Sequence, residues 1–126
     1  MRAIDTNVLV RLLARDDRKQ LAAAEAFVAA GAWVSHLLLV ETVWVLSTVY
    51  ARTAAQLIAA LHMLLAHQHL ALQDHETVAA ALAHFKRRPA LGFSDCLVLE
   101  VARRAGHTPL GTFDKALAAL PQTQRL

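Results

Sequence analysis

The stretch that decides the fold is residues 1–14, MRAIDTNVLVRLLA. Residues 2–4 are a candidate for a short strand, and the polar run Asp5-Thr6-Asn7 ends it. The four apolar residues at positions 8, 9, 12 and 13 have the spacing of one helix face. The stretch therefore predicts a strand, a turn that contains an acid, and then a helix.

The same alternation of strand and helix continues along the chain. Further strands are predicted at 32–35, 70–73, 108–112 and 123–125, and further helices at 18–30, 37–50, 53–67, 75–88, 94–105 and 115–120. This order is typical of an α/β fold with a mostly parallel sheet, here of four or five short strands flanked by helices. Because the 126 residues contain no linker and no repeat, we expect one domain, residues 1–126.

The composition excludes several classes of protein. The chain has 13 Lys and Arg against 10 Asp and Glu, and 56% of its residues are apolar, which excludes a disordered chain. The single cysteine, Cys96, excludes a disulfide framework and, with no export signal in view, suggests the reducing cytoplasm. No stretch of 18 or more residues is free of charged or strongly polar groups, so no membrane span is predicted. Because acids are few, each one needs an explanation.

Glu41 is the acid that its surroundings explain least. Its neighbours one helical turn away are all apolar: Leu37, Leu38, Trp44 and Val45. We therefore expect Glu41 to be partly buried, where a carboxylate without a partner costs several kcal/mol. It is interpreted as a carboxylate held for a cation, and the alternatives are an exposed helix edge or an ion pair.

Three further acids lie at the starts of predicted helices. Asp95 begins an apolar helix and stands at the N-terminal end of the buried face of that helix. Ser94 is a candidate N-cap for the same helix. Asp5 and Asp114 each follow a predicted strand, and N-capping would explain either of them alone. Ligand sites in parallel sheets lie beyond the carboxyl ends of the strands, so we expect both acids at the same rim.

The chemistry of four gathered carboxylates is specific. They repel one another and need cations, and oxygen ligands select Mg²⁺ or Mn²⁺. Such ions activate water and stabilise the attacking and leaving oxygens of a phosphodiester. The sequence therefore predicts metal-assisted hydrolysis of a phosphate ester.

The acidic motifs resemble the four motifs of PIN domains, in the same order and over essentially the whole chain: Asp5-Thr6-Asn7, Glu41, Ser94-Asp95 and Thr112-Phe113-Asp114. The compact size is most similar to the VapC-type toxins of toxin–antitoxin systems. The resemblance implies a three-layer α/β sandwich and an endoribonuclease that needs Mg²⁺ or Mn²⁺ to cut RNA. It also implies a homodimer and a cognate antitoxin as partners.

The resemblance implies a role for each matching residue. Asp5 and Asp95 would be the principal metal ligands, and Asp114 would complete the site directly or through water. Glu41 would hold a second metal, bind through water or orient the nucleophile. Two hydroxyls would orient the carboxylates: Thr6 and Thr112.

Basic and apolar surfaces suggest partners. Five cations near the last two acids are candidates for contacts with RNA phosphates, although a basic helix end is also favoured by the helix dipole: Lys86, Arg87, Arg88, Arg103 and Lys115. The predicted helices 37–50 and 53–67 have large apolar side chains on more than one face. These belong either to an ordinary core or to a dimer or antitoxin interface.

Three other functions remain open. A PIN-like domain without catalysis could serve as an RNA-binding scaffold. A phosphatase with Asp5 as its nucleophile expects a second Asp at position 7, where this chain has Asn7. A receiver module expects a Lys on a late loop at a strand end, but Lys115 falls inside a predicted helix, and Glu41 has no role in that scheme.

Overall fold

The structure is a computed structural model that describes all 126 residues. The chain divides into two compact units, Met1–His75 and Glu76–Leu126. Both units combine helices with parallel strands, so the predicted α/β class is confirmed. The assignment of residues 1–126 to one domain stays a prediction.

The first unit contains three strands and four helices: β1 (Arg2–Ala3), α1 (Thr6–Ala14), α2 (Arg18–Val28), β2 (Ala32–Val34), α3 (His36–Thr48), α4 (Ala54–Ala66) and β3 (Leu70–Leu72). The strands form one parallel sheet in the order β1-β2-β3. Helix α1 packs against α2 and α3. Apolar side chains from α1, β2, α3 and α4 form the buried core: Leu9, Val34, Leu39 and Leu61.

Side-chain caps determine where the helices of this unit begin. Asp17 and Ser35 accept backbone N–H groups at the starts of α2 and α3. At α4, Thr53 and Gln56 form a reciprocal capping box. Such caps satisfy N–H groups that the helix itself leaves without partners, so they define local boundaries.

The second unit contains most of helix α5 and the remaining elements: α5 (His75–Arg87), a 3₁₀ turn (Pro89–Leu91), α6 (Phe93–Arg104), β4 (Leu110–Thr112), a second 3₁₀ turn (Leu117–Ala119) and β5 (Thr123–Arg125). Strands β4 and β5 pair in parallel, with Leu110 opposite Thr123. The core of this unit consists of apolar side chains from α5 and α6: Val78, Phe93, Cys96 and Leu99.

Two predicted boundaries in the second unit are wrong. Helix α6 begins at Phe93, and its N-cap position is Gly92, so Ser94 lies inside the helix and does not cap it. Gly92 has a φ of +78°, which glycine adopts without steric cost. The segment predicted as a helix at 115–120 contains only the 3₁₀ turn Leu117–Ala119.

Helix α3 exposes part of its apolar surface. Leu37, Trp44 and Val49 are 72%, 63% and 69% exposed, so an ordinary core does not explain them. Val45 and Tyr50 are half-buried. No helix of the protein is long and apolar enough to cross a membrane.

Candidate active site

Asp5 lies two residues beyond the end of β1 and caps α1. Its Oδ1 accepts the backbone N–H of Val8 at 3.2 Å, and the residue is exposed. The capping explanation for Asp5 therefore holds, but the cap engages only one carboxylate oxygen. The other oxygen remains available as a ligand.

Glu41 is exposed, so the prediction that it is partly buried is wrong. Its apolar neighbours Leu37 and Trp44 lie on the outward face of α3 and are themselves exposed, so they do not cover the carboxylate. The hydroxyl of Thr6 donates a hydrogen bond of 2.6 Å to Glu41 Oε2. Thr6, the residue next to Asp5, thus positions a carboxylate from a different helix.

Asp95 lies in the second unit, where the negative charge of Asp114 acts on it. Asp95 is half-buried in the first turn of α6. Its pKa is raised above the ordinary value, first because burial disfavours the charged form and second because the negative charge of Asp114 repels it. A cation near these two carboxylates would relieve both effects.

Asp114 lies two residues beyond the end of β4, as Asp5 does beyond β1. One of its oxygens, Oδ1, accepts the backbone N–H groups of Ala116 at 2.8 Å and Leu117 at 3.2 Å. The hydroxyl oxygen of Thr112 accepts the backbone N–H of Asp114 at 3.0 Å. Thr112 therefore positions Asp114 through its backbone.

Two of the four predicted acids lie in each unit: Asp5 and Glu41 in the first, and Asp95 and Asp114 in the second. Within neither unit do three or more His, Cys, Asp or Glu side chains group in a way that would hold a metal ion. The ligands that the acids offer are all carboxylate oxygens, which suit Mg²⁺ and Mn²⁺. The repulsion between Asp95 and Asp114 also fits a divalent cation.

Residues 3–122 match the family model of the PIN domain. The chain belongs to the PIN domain family. The matched segment includes all four acidic motifs and extends through both units. PIN domains have a nuclease-type fold, usually act as hydrolases on nucleic acids and generally use divalent metal ions. Comparisons with curated proteins and with solved structures gave no match.

Cys96 does not supply a nucleophile to this PIN domain. The side chain is fully buried, and its pKa is raised to about 11, first by burial and then by the charges of Asp95 and Glu100. Because the thiolate is the reactive form of cysteine, a buried thiol with such a pKa is inert.

Glu100 is a buried charged residue that sequence reasoning missed. An acid in a helix usually lies on a solvated face, but Glu100 is only 7% exposed. His84 Nε2 lies 2.7 Å from Glu100 Oε1, and the Arg103 guanidinium lies 3.6 Å from the same oxygen. The i,i+3 spacing to Arg103 was visible in the sequence, but the partner on α5 was not.

The five predicted RNA-contacting cations differ in their surroundings. Four of them are exposed: Lys86, Arg87, Arg88 and Lys115. Arg103 is half-buried, pairs with Glu100 and donates a hydrogen bond of 3.4 Å to the carbonyl oxygen of Pro121. Its guanidinium therefore already has partners within this PIN domain.

Proposed function

We propose that this PIN domain is an endoribonuclease that uses Mg²⁺ or Mn²⁺ to hydrolyse RNA phosphodiester bonds. The main supporting observation is the half-buried position of Asp95 near Asp114, where burial and, after it, the negative charge of Asp114 raise the pKa of Asp95. These two effects make Asp95 a costly carboxylate to ionise unless a cation is present. Family membership supplies the expectation of nuclease chemistry.

The proposed metal ligands are Asp5, Asp95, Asp114 and Glu41. Asp5 and Asp95 are the principal ligands, and Asp114 binds directly or through water. When bound, the ion supplies an activated water and neutralises charge on the phosphate. The chain's own contribution is to hold these carboxylates still: Asp5 is fixed at the start of α1, and Thr6 fixes Glu41.

The exposed cations of the second unit are proposed to bind the RNA backbone. Lys86, Arg87, Arg88 and Lys115 offer positive charge to phosphates, which would make binding weaker at higher salt. For Arg103 we propose a different role, the neutralisation of buried Glu100, since its guanidinium is engaged there.

The biological role that we propose is that of a VapC-like toxin in the cytoplasm. The order of the acidic motifs supports this role. The exposed apolar side chains of α3 support a protein partner there, either a second copy in a homodimer or a cognate antitoxin: Leu37, Trp44 and Val49.

The purified protein is expected to cleave single-stranded RNA with Mg²⁺ or Mn²⁺ and to lose this activity in excess EDTA. Adding metal beyond the chelator should restore cleavage, which is followed by gel electrophoresis of a labelled RNA. Robust cleavage in EDTA would rule out the metal-dependent mechanism. Binding of RNA without cleavage under any divalent metal would favour the alternative of a catalytically silent RNA-binding scaffold.

Thr6→Val is expected to lower kcat by about 10-fold, the size of effect usual for losing a group that orients a ligand. Valine keeps the shape of threonine but removes the hydrogen bond to Glu41. Glu41→Gln should lower kcat further, because it removes the charge itself. Thr48→Val is the matched control, since the Thr48 hydroxyl bonds only to the Trp44 carbonyl in its own helix. Equal rates for Thr6→Val, Glu41→Gln and the control would show that Glu41 is not part of the site.

A further inference from the structure

A groove beside Asp5 has no role in the function proposed so far. It lies between α1 and α2 and has a volume of about 420 Å³. Its walls combine Asp5 and Asn7 with Gln20, Ala23 and Phe27. The volume is within the range of roughly 300–1,000 Å³ that is usual for small-molecule pockets. An apolar wall with a few amide groups is suited to a flat, polar-edged ligand.

Gln20 presents a defined hydrogen-bonding group to this groove. The Nε of Arg11 donates to Gln20 Oε1, so the amide oxygen is occupied and the NH₂ group is the free end. Arg11 is held in turn by Asp16 at 3.2 Å and by the Tyr50 hydroxyl at 2.9 Å. Because this network fixes the amide, Gln20 offers a hydrogen-bond donor to a ligand acceptor.

A fixed positive charge lies next to the Phe27 side of the groove. The Arg2 guanidinium stacks 3.9 Å above the centre of the Phe27 ring and donates a hydrogen bond of 2.9 Å to the Phe27 carbonyl oxygen. These two contacts hold the exposed Arg2 side chain in one position. A guanidinium held in this way is suited to a phosphate oxygen.

We infer that this groove binds one nucleotide of single-stranded RNA adjacent to the phosphodiester that is cut. The base lies against Ala23 and Phe27, and the Gln20 NH₂ group donates to an acceptor atom on the base edge. Arg2 contacts a neighbouring phosphate. This inference rests on the proposed ribonuclease function, because that function makes RNA the molecule present at Asp5. A base in a duplex is stacked and paired and cannot enter the groove, so the ligand is single-stranded.

A pair of alanines on α2 provides a matched test. Ala23 lines the groove, whereas Ala22, which is also exposed on the same helix, does not. The phenyl group of Ala23→Phe should fill the groove, whereas Ala22→Phe should place the same group outside it. Because both positions are exposed, both variants should fold, and circular dichroism and Mn²⁺ binding would confirm it.

Binding is measured in EDTA, so that it does not depend on cleavage. The probes are a fluorescently labelled single-stranded oligoribonucleotide, its duplex, and the four nucleoside 5′-monophosphates. Ala23→Phe is expected to weaken binding of the single strand by about 10-fold or more, as expected when one base loses its stacking surface. Ala22→Phe should bind like the parent protein. In Mg²⁺, Ala23→Phe should raise KM much more than it lowers kcat.

A second variant tests the polar contact. In Gln20→Glu, the side chain can still accept from Arg11, but it has lost its donor, so the order of affinities for the four nucleotides should change. Equal binding of duplex and single strand would contradict the inference that the groove binds a base, and so would parental affinity and KM in Ala23→Phe. Neither result would contradict the proposed nuclease function. If the protein binds single-stranded RNA but never cleaves it, and Ala23→Phe abolishes this binding, the inference about the groove would be supported and the proposed nuclease function would be wrong.

Discussion

Asp95→Asn is expected to abolish RNA cleavage while leaving the metal-free protein at least as stable as the parent. Asparagine keeps the size of the side chain but removes the negative charge that a divalent ion needs. The loss of activity should therefore exceed the roughly 10–100-fold effect of losing an outer partner of a metal ligand. The stability result follows from the raised pKa of Asp95 in the folded protein.

The direction of the pH effect can be worked out from this shift. A carboxyl group whose pKa is raised by folding binds its proton more tightly in the folded state than in the unfolded state. As the pH rises from the ordinary aspartate pKa through the raised pKa of Asp95, the free energy of unfolding falls. Above that range the raised pKa of Asp95 therefore lowers stability, and Asp95→Asn removes this cost.

Thermal unfolding in EDTA and in Mg²⁺ provides the measurement. The parent protein should gain stability with Mg²⁺, because a ligand that binds only the folded state stabilises it, whereas Asp95→Asn should gain little. Glu25→Gln is the control for the loss of one acid, since Glu25 is an exposed partner of Arg15 in the other unit. An Asp95→Asn protein with lower stability than the parent in EDTA, or with full activity, would contradict the proposed role.

Glu100→Ala is expected to lower the free energy of unfolding by about 3 kcal/mol, as is usual when one partner of a buried ion pair is removed. The Glu100 and His84 side chains are only 8% and 11% exposed, so water cannot replace the lost partner. Alanine also leaves a cavity between α5 and α6. The effect is measured by urea denaturation at neutral pH.

Glu76→Ala is the natural comparison, because Glu76 and Arg104 form an exposed ion pair that also joins α5 to α6. Its removal should cost less than about 1 kcal/mol, since water screens and solvates both charges. Similar losses of unfolding free energy in the two variants would show that burial does not determine how strongly Glu100 interacts with His84 and Arg103. A double variant of His84 and Glu100 would then measure the coupling between these two side chains.

The elements of the fold could be predicted from the sequence to within a few residues. Their signals are local, such as the apolar spacing in the helix that follows Asp5. Each acts over three or four residues, so neighbouring positions contain the whole signal. The error at α6 has the same local origin, because Ser94 and Gly92 both favour a helix start and only the backbone shows which one is used.

The burial of the acids could not be predicted from local sequence patterns. Apolar neighbours predict burial for Glu41 only if its face of α3 points inward, and packing decides which face does. Glu100 is buried for a reason that its own helix does not show, because its partner His84 lies on α5. Helical periodicity shows which residues share a face, but it does not show which of several apolar faces meets the core.

The sequence by itself determined the α/β class, the order of strands and helices, and four acids in the order of the PIN domain motifs. Only the tertiary structure decided how these acids are held and paired. Thr6 reaches Glu41 over 35 positions, Tyr50 reaches Arg11 over 39, and His84 reaches Glu100 over 16. Caps and helical spacing act over one turn, whereas burial, hydrogen bonding and pKa depend on side chains that only folding brings together.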